Sequence, residues 1–366
     1  MIARKATICI GLLVSLLVVN GCNNQDANSI CSVSLGTIQG TISDSSTFCA
    51  YPGLVTLPDG NLLTGYSCPG GIVVFKLSRD KGATWEDHSA MTLKGSPSLT
   101  VLPNHKIALS TTLKAGSGYN QPVYMVGTIG DGDQITWGDP VIIATPGWTK
   151  GCVAPSPAVQ LKDGELLVPV WCLSNTTGGL PGSSTVMLSA DGGLTWPRQI
   201  TVGDGEIGGS DFDESAAEVY PNGDVVMIIR RTTHTDNDLY GVWLGSRSVD
   251  NGRTWSTPIQ VADNLIVGRP TVALLPSGGL VLAGRAEVEG VYTTGFATSW
   301  DEGLTFSRFH DLGFENYGFD WDQYDAMSLL PDGSIGIVSA HAGYGEASEI
   351  AYRDLVDHCS VTSIAP

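Results

Sequence analysis

Six times along this chain an apolar run meets a short polar turn and resumes as a second apolar run. The first reads Leu54-Val-Thr-Leu-Pro-Asp59-Gly60-Asn-Leu-Leu63, and the other turns fall at Asn104-His105, Asp163-Gly164, Asn222-Gly223, Ser277-Gly278 and Asp332-Gly333. Asp-Gly and Asn-Gly between β-rich runs are hairpin signals, because these residues accept the backbone angles of a tight turn. No amphipathic helical stretch stands out. The pattern therefore predicts six strand pairs and an all-β fold.

A second motif follows most of these pairs. Ser78-Arg-Asp80-Lys-Gly82-Ala-Thr84-Trp85 returns as Ser189-Ala-Asp191-Gly-Gly193-Leu-Thr195-Trp196 and as Ser248-Val-Asp250-Asn-Gly252-Arg-Thr254-Trp255. Ser299-Trp-Asp301-Glu-Gly303-Leu-Thr305-Phe306 is a weakened copy, and Asp131-Gly-Asp133-Gln-Ile-Thr136-Trp137 a degenerate one. In each octet the Asp is placed to accept bonds from backbone amides two or three residues on, while Gly supplies a positive φ. The motif is a structural turn. A repeat of roughly 50 to 60 residues implies one supersecondary unit used several times. Six strand pairs and about five octets predict a six-bladed β-propeller of four-stranded blades. The sixth blade, from Tyr324 to about Leu355, lacks an octet, so residues around Cys31 to Thr41 are expected to supply its outer strand and close the ring.

Composition narrows the setting. Arg4 and Lys5 precede an apolar run from Ile8 to Val19 that is short for a membrane span. Val19-Asn20-Gly21-Cys22 is similar to a bacterial lipobox with Cys22 as the lipidated residue. These features imply a signal peptide over 1–22, a polar tether over 23–30 and one propeller over 31–366, anchored at the bacterial cell envelope on the outer membrane or cell surface. Of the eight cysteines, Cys49 and Cys68 bracket the first hairpin, Cys152 and Cys172 bracket the third, and Cys31 and Cys359 lie where the ring must close. Three disulfides follow, consistent with an oxidising compartment. No metal-ligand spacing and no cofactor motif is present. The formal charge of −18 argues against nucleic acid and anionic membranes as partners, and leaves a lipid anchor as the only expected membrane attachment.

The turn register also picks out the axis. Eight residues before each turn lie Tyr51, Ser96, Pro155, Glu214, Arg269 and Tyr324. Seven residues after each turn lie Ser67, Thr112, Trp171, Arg230, Arg285 and Ala340. Three arginines, a glutamate and two tyrosines are unusual for a sealed core, and the central funnel is where propellers hold ligands. A Glu214–arginine ion pair is the plain structural alternative.

At these residues the chain resembles the sialidase superfamily, over essentially all of 45–355. The segment Asp213-Glu214 to Arg230 is similar to the family stretch joining a catalytic Glu to a carboxylate-binding Arg. The segment opening at Tyr324 is similar to the one that begins with the family's nucleophilic Tyr. The resemblance implies Tyr324 as nucleophile and Glu214 as its base, a pairing suited to a phenol of ordinary pKa near 10. A neutral phenol avoids the repulsion a carboxylate nucleophile would meet at an anomeric carbon bearing its own carboxylate.

The chain departs from the family elsewhere. Ala50-Tyr51-Pro52 stands where an Arg-Ile-Pro is expected, and Ala340 replaces the glutamate that supports that arginine. No Asp lies between Ser67 and Lys76, and no Arg in 291–300. Asp213 or Asp325, or alternatively Asp211, Asp320 or Asp322, would then serve as acid. Arg230, Arg269 and Arg285 would clamp an anionic group, with Tyr51 beside the substrate. The reading is an exo-glycoside hydrolase, acting as a monomer on a terminal and conceivably acidic sugar of a glycan, with sialic acid disfavoured. The alternatives are a lyase on the same scaffold and a non-catalytic carbohydrate-binding or assembly propeller.

Overall fold

The computed structural model describes residues 29–43, 48–93, 95–114, 120–173, 182–205, 211–235, 238–262, 268–288, 291–314, 324–342 and 348–361. They form six small antiparallel sheets that are the blades of a β-propeller. Blade 1 runs from the innermost strand Ala50–Thr56 through Leu62–Cys68 and Ile72–Ser78 to Glu86–Thr92. Blades 2 to 5 follow in chain order, with innermost strands at Ser98–Leu102, at Cys152–Val153 with Val159–Gln160, at Asp211–Val219 and at Thr271–Leu274. Blade 6 contains Tyr324–Leu329, Ile335–Ala342 and Ser348–Val361, and Ser29–Ser43 adds its outer strand. The expected ring closure is present. The closing strand begins at Ser29, slightly inside the segment read as tether, while residues 1–28, including Cys22, lie outside the described residues.

The hairpin turns form as the sequence demands. Gly60, Gly164, Gly223, Gly278 and Gly333 all have φ between 86° and 97°. At Asn104-His105, where no glycine is available, both residues take positive φ (61° and 54°), which Asn and His tolerate better than most side chains. These turns and the octets lie on one face of the ring. The other face carries Tyr51, Glu214 and Tyr324 at the start of inner strands.

In the octets Asp reaches one residue further than its spacing suggested. Thr84, Thr195, Thr254 and Thr305 each donate a backbone N–H to the Asp four positions earlier, at 2.8–2.9 Å, and their hydroxyls donate to its second oxygen. The serine hydroxyl accepts the glycine N–H at 2.8–2.9 Å. Each octet glycine lies against the preceding blade. A Cβ on Gly193 would fall 2.2 Å from Tyr124, and one on Gly82 would fall 2.2 Å from Tyr352. The octets thus lock blade to blade.

Disulfides join Cys49 to Cys68 and Cys152 to Cys172. Cys31 is disulfide-bonded and faces Cys359 across the closing ladder.

Gly192 and Gly193 share positive φ (75° and 96°), but nothing lies within 4 Å of a Cβ built on Gly192. Gly192→Ala is therefore expected to cost only backbone strain, about 1–2 kcal/mol, whereas Gly193→Ala adds about 1–3 kcal/mol of overpacking against Tyr124. Urea unfolding of the two variants checks this, and equal losses would contradict the blade-locking role.

Candidate functional site

Two β-bulges shape the funnel. In blade 4 the ladder slips between Phe212 and Ser215, and Asp213 and Glu214 occupy that slip. In blade 1 it slips between Ala50 and Gly53, which puts Tyr51 into a left-handed conformation with φ 58°. Bulges re-aim side chains in this way near functional sites. Tyr324 needs none, since it pairs in regular register with Ala340.

The slip in blade 4 brings two adjacent carboxylates onto one arginine. Arg230 donates through Nε and Nη2 to both oxygens of Asp213, each at 2.8 Å, and its Nη1 lies 2.9 Å from Glu214 Oε2. The Thr232 hydroxyl also donates to Asp213, at 2.6 Å. Burial works against charge on the guanidinium, but Asp213 and Glu214 hold Arg230 protonated, above its usual range. Burial raises the Asp213 carboxyl above the ordinary carboxylate value, and Arg230 opposes that rise. The Glu214–arginine pair foreseen as the structural alternative is therefore present, and Asp213 strengthens it.

Tyr324 opens the innermost strand of blade 6, within electrostatic reach of Glu214 and Arg230. Its ring lies 4.5 Å from that of Tyr51, and the Arg269 guanidinium sits 5.1 Å from its centroid. Burial raises the phenol well above its ordinary value, Glu214 raises it further, and Arg230 and Arg269 pull it back. Arg269 is buried and donates to the carbonyls of Pro155 and Asp325, the latter at 3.0 Å. Arg285 is buried as well, and burial lowers its pKa. The three arginines expected to clamp an anion are thus brought to one place, with Arg230 held by carboxylates and Arg269 by backbone carbonyls.

The candidate acids are equally enclosed. Asp211 accepts the Gly182 N–H, and Asp213 is committed to Arg230 and Thr232. Asp325 is 2% exposed and lies near Ser339, Arg269 and Arg285. Burial pushes its carboxyl up to about 6. Asp320 and Asp322 lie outside the described residues. Thr232 was not foreseen. Its position two residues beyond Arg230 on the same strand is the signal that could have found it.

The comparisons fit this geometry. No family model matches the chain. A protein named sialidase from Bacteroides fragilis is 24% identical over 350 residues, covering 81% of this chain; the chain spans 60% of that relative's length. An intramolecular trans-sialidase from Ruminococcus gnavus superposes with a TM-score of 0.61 at 14% identity, over 85% of this chain and 95% of that one. An α-L-arabinofuranosidase from Fusarium graminearum, solved with arabinobiose, gives a TM-score of 0.66 at 14% identity, over 87% and 97%. The chain is similar to sialidases in sequence and shares the six-bladed propeller fold with these glycosidases. Ala50 and Ala340, which stand where the resemblance led to the expectation of an arginine and its supporting glutamate, are both fully buried.

A carboxyl raised in the folded state is protonated there while the unfolded chain has already ionised. Stability therefore falls as pH rises from about 4 to about 6 and is then level. Asp325→Asn removes this contribution, so its stability relative to wild type should rise by up to about 3 kcal/mol across that window. Urea unfolding at several pH values measures the slope; a parallel pair of curves would contradict the burial of an ionisable Asp325.

Proposed function

We propose that this protein is an extracytoplasmic glycoside hydrolase that removes a terminal sugar from a glycan, with Tyr324 as nucleophile and Glu214 as its base. The observation that carries this reading is the placement of a phenol on blade 6 and a carboxylate on blade 4 at the same end of the ring, each held by neighbouring side chains. Tyr51 and Arg269 hold the Tyr324 ring, and Arg230 holds Glu214. Glu214 opposes ionisation of the resting phenol electrostatically. The proton therefore leaves Tyr324 only as the bond to the anomeric carbon forms, with Glu214 receiving it.

The charge balance supports a sugar other than sialic acid. Three arginines face three carboxylates, Asp213, Glu214 and Asp325, in the same cluster. A funnel in which Arg230 already carries two carboxylates offers less attraction to a substrate carboxylate than a free arginine triad. Tyr51 and Tyr324 offer aromatic surface to a sugar ring in its place. The sialidase and arabinofuranosidase names among the similar proteins support glycoside hydrolysis as the reaction class. Attachment through Cys22 and a monomeric state belong to the same proposal.

A panel of 4-nitrophenyl glycosides tests it, because that leaving group departs without help from an acid. The panel includes arabinofuranoside, deoxy-sugar, uronic acid and neuraminic acid derivatives. Turnover is expected on at least one, and Tyr324→Phe should reduce it at least 10³-fold with the circular dichroism spectrum unchanged. Full activity of Tyr324→Phe would overturn its role as nucleophile, and glycan binding without turnover of any glycoside would favour the non-catalytic alternative.

A further inference from the structure

Beneath the funnel the propeller encloses a second space. A channel of about 510 Å³ runs along the axis, lined by all six innermost strands. Tyr51, Glu214, Arg230 and Tyr324 do not line it. Arg269 crosses its upper end from blade 5, donating to Pro155 on blade 3 and Asp325 on blade 6. The lower end lies beside Gln160 and Leu329 on the turn face, both exposed. Funnel and channel are thus back to back, with Arg269 between them.

The repeat shows what is unusual about this channel. Four residues before each turn, the six blades place Val55, Thr100, Val159, Glu218, Ala273 and Ser328 on its wall. Five of these are uncharged and one is a carboxylate. Glu218 accepts the Val219 N–H at 3.0 Å, and the Leu274 N–H also reaches it. Burial pushes its carboxyl up to about 7 against these two backbone bonds. The other charged side chains on the wall are Arg269 and Asp325, both at the upper end. The remaining wall is largely apolar, including Leu99, Val272, Leu274 and Met327.

A carboxylate on a largely apolar wall, met by backbone N–H donors but by no cation on that wall nearer than Arg269, favours a cationic group that reaches it. A volume of this size lies within the range of small-molecule pockets, and its apolar length calls for more than a bare ion. We propose that the axial channel is a binding site for a primary alkylammonium group, with the cationic head at Glu218 and the apolar body along Val272, Leu274 and Met327. Arg269 repels the head from the upper end and so fixes its position midway. This site is independent of the hydrolase reading and needs no substrate for its test.

Hexylammonium chloride is the probe, titrated into the full chain by calorimetry. Binding is expected at pH 8, weakening at least tenfold at pH 6 as Glu218 becomes protonated, and weakening at least tenfold in Glu218→Gln at pH 8. Should that variant fail to fold, the wild-type pH profile and 1-hexanol as an uncharged control decide the matter. The proposal is overturned if hexylammonium does not bind, if its affinity is unchanged between pH 8 and 6, if 1-hexanol binds equally well, or if potassium chloride alone reproduces the heat.

Discussion

The closure of the ring is the constraint on which the funnel depends. A row of blades has two free ends, and this chain joins them by pairing Ser29–Ser43 with Ser348–Val361. The seam between blades 6 and 1 is then held from top to bottom. Tyr51 meets Tyr324 at the funnel, Thr56 bonds Ser328 and Leu329 beneath it, and Lys81 pairs with Asp332 on the turn face. Gly82 lies against Tyr352 in the same seam. The candidate nucleophile therefore stands where the chain's beginning and end are fastened together. A site at such a seam is positioned by long-range contacts, whose closure entropy has already been met by the ladder.

The same dependence explains the disulfides. Cys49 and Cys68 clamp the top of blade 1 just where Tyr51 leaves regular register. A non-glycine residue at φ 58° is strained backbone, and here it is fixed by a cross-strand bond on one side and by the Tyr324 ring on the other. Cys31 faces Cys359 at the opposite end of the closing ladder, where the two strands extend beyond their blade neighbours. The Cys49–Cys68 bond thus secures the funnel end of blade 1, and the closing strand is itself disulfide-bonded through Cys31.

The blades, their count and the closing strand were legible in the sequence because the signals for them are local. A glycine after Asp or Asn fixes a turn, and a Ser-x-Asp-x-Gly-x-Thr octet satisfies its own backbone. The funnel was legible only in part. Counting from the turns placed Glu214, Arg230, Arg269, Arg285 and Tyr324 on the same end of the axis, but strand alternation assigns Asp213 and Glu214 to opposite faces. The bulge after Phe212 cancels that alternation and turns both onto Arg230. A bulge has no turn residue to announce it, so the double carboxylate clamp was hidden. Glu218 was passed over for a different reason. It lies inside a strand whose ends carried the recognisable motif, and its distinction appears only when the six blades are aligned around a common channel.

The pairing of Arg230 with Asp213 also changes how the departures from sialidases fit together. Loss of a single arginine from a carboxylate-binding triad would leave its supporting glutamate buried without a partner, which is costly. Here buried alanines stand at both positions, so neither charge is left without the other. On blade 4 Arg230 is present, yet with Asp213 and Glu214 bonded to it the guanidinium is satisfied from within the protein. Each change alone would leave an unpaired charge; together they yield a balanced cluster. The funnel keeps the phenol and the carboxylate and replaces a free anion clamp with internal ion pairs. Under the proposed function, a ligand would then be selected through ring contact and hydroxyl geometry more than through a formal negative charge.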